Sequence, residues 1–278
     1  MKRVAIVGLG LMGGSLALAL KRVRPSWRLV GCDRPEVLDQ ARRRFLVDEA
    51  ESRPEKAVRG AEMVVLASPV ETIAQHLRSL AAEFESGTLV TDMGSTKRRI
   101  LEAAEALPSE IDFVGGHPMA GKASSGLDAA DGELFRGAPW ALVVRSSQRD
   151  TPGLEVLQEI VRAVGAHPIL VDAATHDRAV AVVSQLPHVL AVVLCEQAAS
   201  VDRALELAGP VFRNLSRLAS SSSPVWNDIF ASNGDMVREA VADMERRLHE
   251  AHSELAGKGL GAHFEAARKA VADYPNLS

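Results

Sequence analysis

His117 stands among glycines and a proline, and this setting suits it to acid–base chemistry. It follows Gly115 and Gly116 and precedes Pro118, at the end of an apolar run that predicts a β-strand. Core packing gives no reason for a histidine on such a rigid, exposed turn. Because imidazole titrates near neutral pH, it can accept a hydrogen bond or a proton from a hydroxyl that loses hydride. We therefore predict that His117 is the catalytic base.

Two other loops place polar residues directly after predicted strands. The first contains Asp92, Gly94, Ser95, Thr96 and Lys97, and the second contains Ser68 and Pro69. Ligands of open α/β sheets bind beyond the carboxyl ends of the strands, so we expect both loops to border one site with His117. Ser95 is a candidate for this site, but either Ser95 or Thr96 could instead cap the next helix, and for Thr96 the two roles are equally compatible with the sequence.

A glycine-rich turn near the N-terminus predicts a dinucleotide site. Gly8, Gly10 and Gly13 follow the first apolar run and enclose Leu11 and Met12. Such glycines let the backbone turn, approach a pyrophosphate closely and pack the helix on the sheet, while free N–H groups at the helix start face the anion. The alternative is a tight strand-to-helix turn that binds no ligand.

Asp33 indicates which dinucleotide binds. It lies twenty residues after Gly13, at the end of the second apolar run. A carboxylate there accepts hydrogen bonds from the ribose and repels a 2′-phosphate, which favours NAD over NADP. The adjacent Arg34 weakens this preference slightly, because a guanidinium can receive a phosphate.

Apolar runs alternate with helical patterns through the first part of the chain. The runs cover residues 4–7, 29–31, 63–67, 89–91, 113–115, 141–144 and 169–171. This alternation predicts an α/β fold with a Rossmann-type, doubly wound and mostly parallel sheet. After Asp172 only helical patterns remain. We therefore predict a dinucleotide-binding domain over residues 1–172 and an all-helical substrate and dimerisation domain over residues 173–278.

The helical pattern from about residue 174 to residue 200 is apolar nearly all round. A small helical domain cannot bury such a helix alone, so we expect a homodimer. Its apolar stretch, residues 179–195, contains polar residues and is expected to fall short of a membrane span. Asp177, Ser184 and His188 fall on one stripe at 100° per residue, which predicts that they face a cavity. A capping aspartate and a core histidine are the alternative.

Composition limits the partners of this chain of 278 residues. A net charge of −4, with 24% charged residues, provides no broad electrostatic grip on nucleic acid or membrane. We expect a small-molecule substrate. Two cysteines, interpreted as buried thiols, and a first strand that follows Met1 directly favour a cytoplasmic protein. No cluster of histidine, cysteine and carboxylate residues has convincing metal-site spacing, so no metal is expected.

The sequence resembles the prephenate and arogenate dehydrogenases of tyrosine biosynthesis over nearly its whole length. The matching motifs are the glycine turn, residues 92–97, the His117 loop, His176 with Asp177, and residues 184–188, 212–217 and 226–230. The resemblance implies a Rossmann domain followed by a helical dimerisation domain. The resemblance is to the single-function, catalytic-core form of the family. We therefore expect neither a chorismate mutase segment before this region nor a regulatory domain after it.

The resemblance also implies a role for each matching residue. His117 is the hydrogen-bonding base at the ring hydroxyl, and Ser95 lies beside it at the nicotinamide. His188 is a second histidine of the substrate site, and Arg217 holds a substrate carboxylate. Arg213, Lys122 and Ser184 are further substrate-site candidates. Lys122 and Ala123 stand where many relatives have threonine and glutamate, and Arg213 where others have lysine, which leaves side-chain selectivity open.

The implied reaction is oxidative decarboxylation of prephenate to 4-hydroxyphenylpyruvate with reduction of NAD. It needs a hydroxyl acceptor, a carboxylate clamp and alignment with the coenzyme, since aromatisation of the ring supplies the driving force. The nearest alternative is an arogenate or dual-specificity cyclohexadienyl dehydrogenase. A more distant alternative is another two-domain NAD(P)-dependent hydroxyacid dehydrogenase. A nucleotide-binding regulator without catalysis is disfavoured by the presence of His117, Ser95 and Arg217.

Overall fold

The sheet contains eight strands in the residues that the computed structural model describes, which are 2–122, 124–145, 151–221, 223–255, 257 and 259–272. The strands are β1 (Arg3–Val7), β2 (Arg28–Cys32), β3 (Glu49–Glu51), β4 (Met63–Leu66), β5 (Leu89–Asp92), β6 (Asp112–Pro118), β7 (Pro139–Val144) and β8 (His167–Leu170). Their spatial order is β3-β2-β1-β4-β5-β6-β7-β8. The order reverses between β1 and β4, where a doubly wound sheet leaves a crevice at the carboxyl ends of its strands.

The strand pairing confirms the predicted doubly wound, mostly parallel sheet, with one exception. β6 and β7 are antiparallel, whereas the other pairs are parallel. Parallel neighbours require a crossover connection, and the described residues between β6 and β7 contain only a short 3-10 turn, Leu127–Ala129. β3 was not among the strands predicted from apolar runs, because its sequence is Glu-Ala-Glu.

Six helices belong to the sheet half of the described chain. They are α1 (Leu11–Val23), α2 (Pro35–Arg43), α3 (Pro54–Val58), α4 (Val70–Ser79), α5 (Arg98–Ala104) and α6 (Pro152–Ala163). Successive residues of a strand face opposite sides of a sheet. Ile6 accordingly belongs to one buried apolar cluster and its neighbour Ala5 to another, so the sheet is covered on both faces.

The described residues after β8 are helical, as predicted. The helices are α7 (Ala173–Val180), α8 (Leu186–Ser200), α9 (Pro210–Ala219), α10 (Ser223–Leu255) and α11 (Gly261–Val271). A π-helical segment, Ala181–Gln185, joins α7 to α8. Pro187 follows it, and a proline lacks the N–H that an α-helix needs and crowds the preceding turn. A wider π turn relieves that conflict and rotates α8 relative to α7.

The continuous helix from Ala173 to Ser200 differs from expectation in two ways. It spans 28 residues, and its most apolar window has a mean hydropathy of 1.8, so it is long and apolar enough to cross a membrane by length and composition alone, and the prediction that it falls short was wrong. The chain itself buries only 28% of its most apolar window. Val183 is 67% exposed and Val193 is 54% exposed. Cys195, on the same helix, is half-buried, whereas Cys32 is buried as expected.

Candidate active site

The glycine turn between β1 and α1 leaves room for an anion. Gly8 has a φ of +99°, and a Cβ added there would lie 2.6 Å from the carbonyl oxygen of Ala67. A Cβ at Gly13 would lie 1.9 Å from the carbonyl oxygen of Gly8, whereas one at Gly10 would meet no described atom within 4 Å. Gly10 precedes α1, whose first turn has neither a side-chain cap nor an acidic residue. Free N–H groups therefore face open space, which fits the diphosphate of a dinucleotide.

Asp33 follows β2 beside this turn. Its Oδ2 accepts a hydrogen bond from the N–H of Leu9 at 2.7 Å, and its Oδ1 accepts one from the N–H of Arg34 at 2.7 Å. The Arg34 side chain is 82% exposed, with its Nε 3.9 Å from Asp33 Oδ1. The carboxylate is therefore held at the glycine turn, where the ribose of a dinucleotide is expected.

The other predicted cofactor residues lie along the same edge of the sheet. Leu11 and Met12 begin α1 and are half-buried, and Pro69 is exposed immediately before α4. Ser68 is half-buried after β4, and its Oγ would lie 3.1 Å from a Cβ added at Gly8. The turns after β1, β2 and β4 thus form one continuous border.

His117 lies within β6, near its carboxyl end, and is only 9% exposed, so the expectation of an exposed turn was wrong, because pairing with β7 extends the strand through Pro118. Nδ1 of His117 is 2.9 Å from Nε2 of His176, and Nδ1 of His176 is 2.7 Å from Oδ1 of Asp177. Burial lowers the pKa of His117 well below its usual range, and the neighbouring His176 and Lys97 lower it further. The ring is therefore neutral at neutral pH, as an acceptor for a hydroxyl must be.

A buried ion pair joins the Ser95 loop to the strand that carries His117. Nζ of Lys97 contacts Oδ1 of Asp92 and donates a hydrogen bond of 2.7 Å to the carbonyl oxygen of Gly116. Oδ2 of Asp92 accepts from the N–H of Gly116 at 3.2 Å. Both charged side chains are almost completely buried, so loss of either partner would leave an uncompensated charge. Ser95 is half-buried within the anchored loop.

Asp177 connects this loop to the helical half. Its Oδ1 accepts from the N–H of Lys97 at 2.7 Å, and its Oδ2 accepts from the N–H of Arg98 at 2.9 Å. The carboxylate thereby caps the start of α5 from another part of the chain. The hydroxyl of Thr96 instead donates to Oγ of Ser232 at 2.9 Å, so Thr96 does not take the capping role considered from sequence.

The predicted stripe of Asp177, Ser184 and His188 does not line one cavity. Asp177 is fully buried against α5, whereas Ser184 lies in the π-helical segment and is half-buried, like His188. The π turn disrupts the spacing of 100° per residue on which the prediction rests. The His188 ring stacks on Trp226 with centroids 3.6 Å apart, and its Nδ1 donates to the carbonyl oxygen of Ser184 at 2.9 Å. Burial lowers the pKa of His188.

The predicted substrate cations Arg213 and Arg217 lie on α9 with exposed side chains. Nη2 of Arg217 donates to Oδ1 of Asn214 at 2.8 Å. Among the described residues, neither guanidinium forms a hydrogen bond or ion pair with the predicted catalytic residues. The fold of one chain therefore assembles the His117 cluster and the glycine turn without adding these arginines to it.

Lys122, in the loop after His117, is exposed and pairs with Oδ2 of Asp131 at 2.8 Å. Exposed ion pairs of this kind contribute little to stability, so the ammonium can exchange partners at small cost. Ala123 lies outside the described residues.

Sequence reasoning missed the contacts of His176 and of the Asp92 and Lys97 pair. The histidine pair joins positions 59 apart in sequence, and Asp177 reaches Lys97 across 80 positions. Pattern analysis cannot see such contacts, although the charged residues directly after a buried strand were a usable signal. The described residues contain no group of three or more histidine, cysteine or carboxylate side chains placed to hold a metal ion.

Comparison with protein families finds two matches that together span most of the chain. Residues 16–170 match the family described as "Prephenate dehydrogenase, nucleotide-binding domain". Residues 172–265 match the family described as "Prephenate dehydrogenase, dimerization domain".

Individual proteins give the same result. Prephenate dehydrogenase of Lactococcus lactis is 36% identical over 261 residues, which cover 90% of this chain and 70% of the relative. The structure of Aquifex aeolicus prephenate dehydrogenase with hydroxyphenyl propionate and NAD+ has a TM-score of 0.87 at 28% identity, covering 98% of this chain and 96% of that one. Synechocystis arogenate dehydrogenase has a TM-score of 0.81 at 28% identity and covers 97% of both chains.

Proposed function

The chain belongs to the prephenate dehydrogenase family, and we propose that it oxidises and decarboxylates prephenate to 4-hydroxyphenylpyruvate with NAD, in tyrosine biosynthesis. The observation that carries this proposal is the buried, neutral His117 at the same sheet edge as the glycine turn. We further propose that residues 1–172 bind the coenzyme, that residues 173–278 complete the substrate site and the dimer, and that the protein is cytoplasmic.

His117 performs the central step by accepting a hydrogen bond from the ring hydroxyl. As hydride leaves the carbon that bears this hydroxyl, positive charge develops there, and a neutral imidazole stabilises it. The electron pair of the bond to the ring carboxylate then completes the aromatic ring, carbon dioxide departs, and the phenol of the product retains the hydroxyl proton. NAD, when bound, supplies the hydride acceptor.

Ser95 and the cations have positioning roles in this proposal. Ser95 lies on the loop tied to β6 by Lys97 and Asp92, which supports a position for its hydroxyl between coenzyme and substrate. His188, Ser184 and the α9 arginines belong to the helical half and would contact the substrate from the opposite side. Lys122 is the first cationic residue after His117 in the sequence and is a candidate to bind the side-chain carboxylate of the substrate.

The coenzyme preference gives a testable expectation. Replacing Asp33 by serine should lower the ratio of kcat/KM with NAD to that with NADP by at least about tenfold, because a hydrogen bond to a charged acceptor contributes about 1.5 to 3 kcal/mol. Steady-state kinetics with both coenzymes measure this ratio. Asp39→Ser is a matched control, since Asp39 is an exposed surface carboxylate on α2 paired with Arg42. Wild-type protein that uses NADP as well as NAD would contradict the assignment.

Arogenate is the alternative substrate, because Synechocystis arogenate dehydrogenase is structurally almost as similar as the prephenate enzyme. The two substrates differ only in whether the side chain carries a keto or an amino group. Measuring NAD reduction with each, and identifying the product as 4-hydroxyphenylpyruvate or tyrosine, decides between them. Absence of reduction with both would refute the proposed function.

The exposed apolar surface of the helical half supports a homodimer. A groove of about 420 Å³ is lined by Leu194, Ala198, Leu207, Val211, Phe212 and Leu215. Val183 and Val193 on the same half are also exposed, and uncovered apolar side chains of this kind mark protein–protein interaction sites. The match of this region to a dimerization domain agrees with a second copy of the chain as its partner.

Replacing Val193 by glutamate should weaken the dimer by at least about a hundredfold. Each dimer would lose two buried valine contacts of about 1.5 kcal/mol each and would also bury two charges. Light scattering over a dilution series measures the dissociation. Phe45→Asp is a suitable control, because Phe45 is 82% exposed in the sheet half. A wild-type protein that is monomeric and active at micromolar concentration would rule out the dimer.

A further inference from the structure

A chain of hydrogen bonds behind His117 fixes which of its ring nitrogens carries the proton. Asp177 lies at one end, His176 in the middle and His117 at the other end. All three side chains are at least nine-tenths buried, so water does not compete for these bonds. The direction of each bond follows from the donors and acceptors that are available.

Asp177 is the fixed acceptor of this chain. Burial works to raise its pKa, but hydrogen bonds from His176 and from the backbone N–H groups of Arg98 and Lys97 outweigh it and lower the pKa. Nε of Arg98 also lies 3.2 Å from its Oδ2. Every one of these neighbours is a donor, so the carboxylate stays ionised and accepts from Nδ1–H of His176.

The rest of the chain follows from this first bond. In its neutral form, His176 with its proton on Nδ1 has a bare Nε2, which can only accept. Nδ1 of His117, 2.9 Å away, must then be the donor. His117 therefore carries its proton on Nδ1 and leaves Nε2 bare.

We propose that His176, oriented by Asp177, is a positioning residue that holds His117 in the tautomer with a free Nε2 lone pair. The inference rests on the proposed function, because this lone pair is the one that would accept the substrate hydroxyl. The opposite tautomer would present Nε2–H to the hydroxyl and could not act as a base. A glycine-rich loop would not otherwise discriminate between the two tautomers, which are close in energy for a free imidazole.

The surrounding charges are consistent with this role. Lys97 and the Asp92 carboxylate, paired with each other, lie on the α5 side of His117, and Asp177 with Arg98 lies behind His176. The positive charge of Lys97 opposes protonation of His117 at rest. When positive charge develops at the substrate, the hydrogen bond from Nδ1–H of His117 to His176 strengthens, so that part of the charge is spread to His176.

The tautomer can be measured without substrate or coenzyme. In protein labelled with nitrogen-15 in its histidines, imidazole nitrogen shifts distinguish a protonated from a bare nitrogen, and comparison with His117→Asn identifies the His117 signals. We expect a protonated Nδ1 and a bare Nε2 at pH 7.5. A protonated Nε2 with a bare Nδ1 would overturn the proposal, whether or not the protein acts on prephenate.

Two substitutions at His176 separate positioning from packing. Leucine removes the acceptor for Nδ1–H of His117 and should lower kcat by about a hundredfold, since a correctly placed base typically contributes at least that factor. Glutamine retains an acceptor oxygen and should recover at least about tenfold of the loss. Asp177 is left unchanged because it also caps α5. His76→Leu serves as the control, because His76 is another half-buried histidine, on α4, and should leave kcat unchanged.

The outcomes are distinguishable. Equal losses in the leucine and glutamine variants, or a leucine variant with near-normal kcat, would contradict the positioning role. If the leucine variant does not fold, the His117 tautomer in the glutamine variant decides, and a switch to protonated Nε2 there would count against the proposal. Wild-type protein inactive with prephenate and arogenate would refute only the proposed function.

Discussion

Replacing His117 by asparagine is expected to lower kcat by about two to three orders of magnitude, with coenzyme affinity nearly unchanged. The asparagine amide can still donate to His176, so the buried hydrogen bond survives while the acceptor at Nε2 is lost. His117 belongs to β6, whereas the glycine turn expected to bind the coenzyme follows β1. The loss of turnover should therefore not be accompanied by a loss of coenzyme affinity. Single-turnover kinetics and titration with NAD measure them independently.

The pH dependence gives the same prediction a second readout. A base is active when unprotonated, and burial lowers the pKa of His117, so kcat/KM should rise with pH through a value below 6.5 and level off above it. His117→Asn should lose this acid limb. If this variant keeps near-normal turnover and an unchanged pH profile, His117 is not the catalytic base and His188 becomes the next candidate.

The periodicity of the sequence determines most of the fold because buried parallel strands are continuously apolar. β4 carries this signal in full, β1 carries it after Arg3, and β5 carries it only until Thr91. β3 does not carry it, because it is an edge strand that pairs only with β2, and this pairing rather than apolar burial holds it in the sheet. The antiparallel direction of β7 follows from its short connection to β6, whose described residues contain only a 3-10 turn, and composition alone does not reveal this.

The candidate site was predictable only where local chemistry marks it. The glycine turn and His117 stand out because the spacing of the glycines, and a histidine between glycines and a proline, are visible in the sequence itself. His176 and Lys97 do not, because their significance comes from partners brought close by the fold, 2.9 Å and 2.7 Å away across the molecule. The stripe through Asp177, Ser184 and His188 was wrong for a local reason, since Pro187 forces a π turn into an otherwise regular helix.

Arg217 is the second residue for which a large effect is expected, because the doubly anionic substrate must be desolvated by a protein whose net charge is −4. Its guanidinium is exposed and steadied by Asn214 one turn earlier on α9. The alternative role for Arg217 is a structural ion pair with a helix acid such as Glu206 or Asp228, but both acids are engaged elsewhere. Glu206 pairs with Arg203, and Asp228 accepts from the N–H of Val70 at 2.7 Å.

Arg217→Ala should therefore cost roughly 2 to 4 kcal/mol in kcat/KM, mostly through a higher KM, because a guanidinium forms two charge-assisted hydrogen bonds with a carboxylate. Lysine should recover only part of the loss, since an ammonium cannot reproduce the paired geometry. Arg246→Ala, on α10, is the control, because Arg246 is an exposed arginine that already pairs with Asp243 and Glu250. An unchanged KM combined with a large fall in Tm would make Arg217 a structural residue and leave the carboxylate clamp to Arg213, the other exposed arginine of α9.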